Sequence, residues 1–394
     1  MKLCLNHLGR SLNDFIRFQN LTQNQRSIVF YAEDRASWVY FEPLIKTLTG
    51  KFNHEICYMT SAFDDPILST DQKRIQSFYL GNGVLRILFF YVLKADVCVM
   101  TMPDLEVFHI KRSKLYPVHY VYVFHSMVST HLAYRHAAFD YFDTIFCVGP
   151  HHIKEIRATE KRYGLKQKNL VEQGYGRLDT LLEEKSDKLK QTSKKNPKKK
   201  RILLAPSWGQ PGLLERYGEE IIQILLQAGY EVVVRPHPVT VSKCSSVIQS
   251  FKDRFSDDPN FVLETDIASI DSLKNSDCLI SDWSGVTLEY AFAFEHPVLF
   301  IDVPKKINNP RYMEIECEPL EVSIRTQIGE VLDSDHLEKI PEKIESLCGN
   351  LEQWQKQIQQ IRKQTVFNIN QSGEIGALQI SKIADQKKDS LSLP

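Results

Sequence analysis

The sequence contains no cysteine pair at metal-ligand or dithiol spacing: its eight cysteines, Cys4, Cys57, Cys98, Cys147, Cys244, Cys278, Cys317 and Cys348, are scattered, with no CxxC. That removes the usual zinc frameworks and thiol-redox motifs. Cys57, Cys98 and Cys278 stand inside apolar, strand-like runs and read as reduced, buried thiols. There is no net charge either, with Lys+Arg 49 against Asp+Glu 49. No global attraction to nucleic acid follows, and none is expected as a partner. Long apolar runs are missing too: the most apolar stretch, Val84 to Leu93, contains Arg86 and stops at Lys94, too short for a membrane span. Met1-Lys-Leu-Cys-Leu-Asn6 opens no apolar segment with a small-residue cleavage site, so no signal peptide is read and a cytoplasmic protein is expected. GxGxxG after the first strand, GxxxxGK[ST], GxSxG and HExxH are all absent. Dinucleotide-binding, P-loop, hydrolase-elbow and zincin readings therefore lack support, and neither metal nor cofactor is expected.

What is present is ordinary globular composition over 394 residues, 43% hydrophobic and 25% charged, enough for two domains with sizeable cores. Short apolar runs alternate with helical ones. Ser27–Ala32, Glu55–Thr60, Ala95–Thr101, His119–Phe124 and Thr144–Val148 read as buried strands, with helices over Trp38–Thr49 and His151–Tyr163. A Lys-rich polar segment, 183–200, interrupts the pattern as a candidate linker. The alternation then restarts with strands at Arg201–Ala205, Glu231–Arg235, Phe261–Leu263, Cys278–Ile280 and Pro297–Ile301, and helices at Leu213–Ala228 and Val241–Phe255. The fold class is therefore α/β: two Rossmann-like domains, 1–182 and 201–335, facing a cleft beyond the carboxyl ends of their strands. A polar helical tail, 336–394, is expected on the second domain or crossing back to the first. The Val84–Leu93 stretch suits a helix packed on a sheet, or one lying in a membrane interface with Arg86 and Lys94 at the headgroups.

Several chemistry-bearing residues fall at those strand ends. Cys278-Leu-Ile-Ser-Asp-Trp-Ser-Gly-Val-Thr287 is a strand opening into a helix, where Ser284, Gly285 and Thr287 are candidate phosphate donors. Helix capping by Ser281, Asp282 or Ser284 is the equally good ordinary reading. In Val234-Arg-Pro-His-Pro238, two prolines fix the backbone around His237, and Arg235 adds a charged donor. His125, in Tyr122-Val-Phe-His125, ends another apolar strand and is either a general base or a hydrogen-bonded structural histidine. Ala205-Pro-Ser-Trp-Gly209 offers Ser207 and Trp208 to a nucleobase, or Trp208 simply packs. Gly174-Tyr-Gly-Arg-Leu-Asp179 reads as an interdomain turn with Arg177 reaching the cleft and Asp179 capping the next helix. His131, His136, His151 and His152 have spacings that metal could use, but no carboxylate pattern accompanies them.

Taken together, His125, Gly174-Tyr-Gly-Arg-Leu-Asp179, Ala205-Pro-Ser-Trp208, Arg235-Pro-His-Pro238 and Ser281-Asp-Trp-Ser284 with Pro297 downstream resemble the CDP-glycerol glycerophosphotransferase family. These are the teichoic-acid primases and polymerases and their capsule-forming relatives, and the resemblance runs from His119 to Ile301. It implies a GT-B type fold, with the acceptor on the first domain and a CDP-alditol on the second. His125 matches the family's catalytic histidine, Arg235 and His237 its element near the donor phosphates, and Ser281, Asp282, Ser284 and Gly285 its donor phosphate loop. The implied reaction transfers glycerol or ribitol phosphate to a hydroxyl of a polymer or lipid-linked acceptor and releases CMP. Such acceptors make peripheral contact with the inner face of the membrane an expectation. A nucleotide-sugar glycosyltransferase of the same fold is the runner-up, and a non-catalytic module for anionic polymers the third reading.

Overall fold

The apolar runs become the strands of two wholly parallel sheets in the computed structural model, which describes residues 2–189, 199–209, 212–265 and 269–391. The first sheet contains β1 (Ile28–Ala32), β2 (Ile56–Thr60), β3 (Ile75–Tyr79), β4 (Val97–Met100), β5 (His119–Val123), β6 (Thr144–Cys147) and β7 (Asn169–Glu172), ordered β3-β2-β1-β4-β5-β6-β7. The second contains β8 (Arg201–Leu204), β9 (Glu231–Val234), β10 (Phe261–Leu263), β11 (Cys278–Ser281), β12 (Val298–Asp302) and β13 (Gly329–Asp333), ordered β10-β9-β8-β11-β12-β13. Ile28 pairs with Ile56 on one side and Val97 on the other, and Ile202 with Val232 and Cys278, so both central strands are bonded along both edges, and apart from half-exposed Arg201 their residues are buried on both faces. Winding reverses between β1 and β4 and again between β8 and β11. At such switch points the loops splay apart and leave a crevice at the carboxyl ends.

The first sheet carries α1 (Lys2–Gln19), α2 (Trp38–Gly50), α3 (Val84–Val92), α4 (Pro150–Tyr163) and α5 (Gly176–Leu189). The second carries α6 (Leu213–Gln227), α7 (Pro238–Lys243), α8 (Ser245–Phe255), α9 (Asp271–Asn275), α10 (Val286–Phe294), α11 (Leu320–Ser323) and α12 (Arg325–Ile328). The single helix expected over Val241–Phe255 is broken at Cys244, whose φ −121° and ψ 46° are not helical. The start of the segment read as a linker is helical as well, because α5 runs on to Leu189 and Lys185 pairs with Glu295 at 2.7 Å. Residues 190–198 of that segment lie outside the described residues.

The tail takes both of its expected courses. α13 (Ile340–Gly349) and α14 (Leu351–Thr365) pack on the second sheet's helices and strands, whereas α15 (Ser372–Leu391) returns to lie against α2, burying Ala377, Ile380 and Ala384 beside Phe41 and Leu44. The crossing strap runs tight over the first domain. A Cβ at Gly149 would lie 1.8 Å from the Thr365 carbonyl, and one at Gly174 2.4 Å from that of Phe367, so only glycine fits beneath it. Asp179 does cap a helix, but not its own. It sits inside α5, and its carboxylate accepts the amides of Asn370 and Ser372 at 2.7 and 3.0 Å, fixing the start of α15.

Candidate active site

His125 follows β5 and is half-buried where the first domain faces the second. Its Nδ1 lies 3.2 Å from the Thr101 carbonyl oxygen after β4. A carbonyl only accepts, so Nδ1 carries the proton and the neutral ring's lone pair sits on Nε2. Burial lowers the pKa, keeping the ring neutral at pH 7. A positioned, neutral imidazole with a fixed tautomer is what a general base requires. Tyr40 and Tyr134 stand edge-on to it, with centroids at 6.2 and 5.6 Å.

His237 follows β9 on the opposite side and opens α7. Its Nδ1 accepts the Val239 amide at 3.1 Å, so the neutral ring carries its proton on Nε2. Burial, reinforced by the Lys306 ammonium and by His125, lowers its pKa to about 4. Trp208 is half-exposed after β8, its ring centroid 6.0 Å from that of His237. The turn after β11 completes this side. The amides of Ser284, Gly285 and Val286 have no protein acceptor among the described residues and stand at the positive end of α10.

Other expected site residues take different places. Ser281 is fully buried and donates to the Ala205 carbonyl at 2.8 Å. Asp282 is buried and accepts the Ser207 amide at 2.7 Å and its hydroxyl at 3.1 Å. These bonds of Ser207, Ser281 and Asp282 lock together the β8 and β11 loops, which carry Trp208 and Gly285. Neither Ser281, Asp282 nor Ser284 caps α10 through its side chain. The Thr287 hydroxyl donates to the Ser284 carbonyl at 2.8 Å. Arg235 is buried, and its guanidinium donates to Ser272 of α9 at 3.1 Å. Arg177 is buried, with Tyr40 and Tyr175 within its electrostatic reach. Three of the other histidines tie down the loop after His125: His151 and His152 bond the Met127 and Val128 carbonyls, both at 2.9 Å, and His131 bonds that of Cys317 at 3.0 Å, whereas His136 meets Arg311.

Three contacts that close the cleft were missing from the sequence reading. A Cβ at Gly285 would lie 2.3 Å from Ser126 Oγ, so the donor-side turn rests directly on the residue after His125. Tyr175 donates to Glu289 of α10 at 2.7 Å. Glu321 of α11 accepts both the amide and the hydroxyl of Ser129, at 2.8 and 2.7 Å. Lys306, on the loop after β12, is a fourth omission, and it lies over Trp208. Nothing in spacing links these partners. The rule that found His125 and His237, chemistry at a strand's carboxyl end, would also have pointed to Lys306.

The family model described as CDP-glycerol:poly(glycerophosphate) glycerophosphotransferase matches residues 91–306, a span containing both histidines and the donor-side turn. Among solved structures, the chain is similar to the wall teichoic acid polymerase TagF soaked with CDPG, at 14% identity and TM-score 0.58, covering 97% of this chain and 98% of that one. It is also similar to the UDP-GlcNAc 2-epimerase of Methanocaldococcus jannaschii in complex with UDP-GlcNAc and UDP, at 14% identity and TM-score 0.58, covering 91% and 99%. The UDP-GlcNAc 2-epimerase of Neisseria meningitidis gives 13% identity and TM-score 0.58, covering 90% and 99%. At such identities the likeness is one of fold, the two-domain GT-B type. No curated protein matches the sequence.

Proposed function

The chain belongs to the CDP-glycerol:poly(glycerophosphate) glycerophosphotransferase family, and from that premise we propose that it moves glycerol or ribitol phosphate from a CDP-linked donor to a hydroxyl of a lipid-linked or surface polymer, releasing CMP. In this reading residues 1–182 hold the acceptor and 201–335 the donor. His125 Nε2 takes the proton of the acceptor hydroxyl as its oxygen attacks the phosphorus bonded to the alditol. The bond from that phosphorus to the bridging oxygen breaks in line, and its electron pair leaves with CMP. His237 Nε2–H and the free amides of Ser284 and Gly285 hydrogen-bond the phosphoryl oxygens as charge shifts. Trp208 offers a ring face to the cytosine. The observation that carries the reading is the fixed tautomer of His125, a base held directly beside the donor-side turn through Ser126 and Gly285.

The lipid-linked acceptor has a counterpart on the first domain's surface. α3 buries Phe89 and Phe90 but exposes Val84, Ile87, Leu88 and Tyr91, and α1, joined to it by Phe18 on Phe89, exposes Leu8, Leu12 and Ile16. Arg10, Arg17 and Lys94 accompany these stripes, a combination suited to the surface of an anionic bilayer. No helix among the described residues is long and apolar enough to cross a membrane.

The test is nucleotide release, CMP from CDP-glycerol, CDP-ribitol and CMP-sugars and UDP or GDP from the corresponding sugars, with His125→Ala as control. Release from a CDP-alditol alone supports the transferase. Preference for a nucleotide sugar moves the assignment to a glycosyltransferase. Sedimentation with anionic vesicles, against Leu88→Glu, tests the surface: a wild type that stays in the supernatant at low salt removes the lipid contact and leaves the chemistry untouched.

A further inference from the structure

Lys306 has no part in the roles assigned so far. It stands at the carboxyl end of β12 on a loop that also reaches the first domain, where Asn308 and Asn309 bond the backbone of Ala133 and His131. Its ammonium lies 3.9 Å from the Trp208 ring centroid, on the indole that neighbours His237. Asp282 and His237 lie within its electrostatic reach. Among the described residues, however, the ammonium has neither a hydrogen-bond acceptor nor a carboxylate in salt-bridge contact. Nearby arginines differ: Arg325 pairs with Asp302 at 2.9 Å and Arg311 with Glu314 at 2.7 Å. Burial lowers the Lys306 pKa to about 8 against the pull of Asp282. A half-buried, unpaired cation costs stability that an anion would restore. It faces the side of the cleft where the donor phosphates are placed, and a flexible lysine stem lets the point charge leave the indole and meet them.

We propose that Lys306 is a donor-binding residue, pairing with the diphosphate of the nucleotide donor while Trp208, relieved of it, takes the base. The proposal rests on the donor reading above and adds a cation to it. As the phosphorus–oxygen bond breaks, the charge left on CMP falls beside this ammonium.

Calorimetric titration with CDP-glycerol and with cytidine separates the two ideas. A wild type that binds neither overturns the donor reading, and this proposal with it. With wild-type binding established, Lys306→Gln is expected to weaken CDP-glycerol by about 10–100-fold and to leave cytidine unchanged, while Lys306→Arg stays within about threefold for both. Wild-type affinity for CDP-glycerol is expected to weaken between pH 7 and 9.5 as the ammonium deprotonates, and the Arg variant to stay flat. Asp282, His237, Lys243 and Lys305 surround the site in both proteins and cancel in that comparison. Undiminished CDP-glycerol binding by Lys306→Gln overturns the proposal. An equal loss of cytidine also overturns it, because Lys306 would then only order the indole.

Discussion

The two cleft histidines are each fixed through Nδ1, but by partners of opposite sense. On the first domain a carbonyl, Thr101, accepts a hydrogen bond from His125 Nδ1–H and leaves the lone pair on Nε2. On the second an amide, Val239, fills the Nδ1 lone pair of His237 and leaves the proton on Nε2. Both rings are neutral at pH 7, since burial lowers both pKa values. The roles proposed for them therefore differ through one backbone atom each. One neutral imidazole presents a lone pair, as a base needs, and the other a proton, as a donor needs, although the residue type and its place at a strand end are the same.

The largest effect expected from this asymmetry is at the base. His125→Ala should slow CMP release by about 10²–10⁴-fold while CDP-glycerol binding stays within about threefold. Single-turnover kinetics beside calorimetry checks this, and an equal loss of binding would make His125 a structural residue. Next comes the donor. His237→Asn keeps the cap on Val239, because asparagine is a good N-cap, but cannot reach a phosphate with Nε2–H. A loss of about 10–100-fold in kcat/KM for the donor is expected, with unchanged thermal stability. If His237→Asn is both stable and fully active, the histidine serves the cap alone.

The pH profile sharpens the comparison further. A base works when neutral, so kcat/KM should fall about tenfold per unit as pH drops below the His125 pKa. Burial places that limb below the ordinary histidine value. His237 adds a second fall only near pH 4, where protonation at Nδ1 expels the Val239 amide. An acid limb above the ordinary histidine range would contradict a buried, neutral base.

This asymmetry was only half legible in the sequence. Apolar runs ending in His125 and His237 announced themselves, because buried parallel strands must be continuously apolar and their carboxyl ends converge on the crevice. The edge strands β3 and β7 did not, since their half-exposed faces carry polar residues such as Gln76 and Asn169. Nor did the tautomers, which depend on Thr101 from another strand and on which backbone group meets the ring. The partners of Ser281, Asp282 and Arg235 were hidden for the same reason. Position at a strand end says that a polar side chain is near the cleft, but not whether a neighbouring loop has already claimed its hydrogen bonds. Glu321 depends on a contact between domains, to which no local pattern is sensitive; Lys306 stands beyond a strand end as the histidines do, and only its contact with Trp208 was hidden.

The smallest expected effect isolates the carbonyl's share. Tyr122 Oη also lies 3.4 Å from His125 Nδ1, at the outer limit of a hydrogen bond. If Thr101 alone sets the tautomer, Tyr122→Phe removes this contact and leaves Nδ1–H on the carbonyl, so kcat should change by less than about threefold. The acid limb should stay where it is, because Thr101 and the burial that lowers the pKa are both retained. A larger loss, with the limb moving toward the ordinary histidine value, would show that the hydroxyl shares in holding the ring. The contrast between the two histidines would then rest on a side-chain network rather than on one backbone atom apiece.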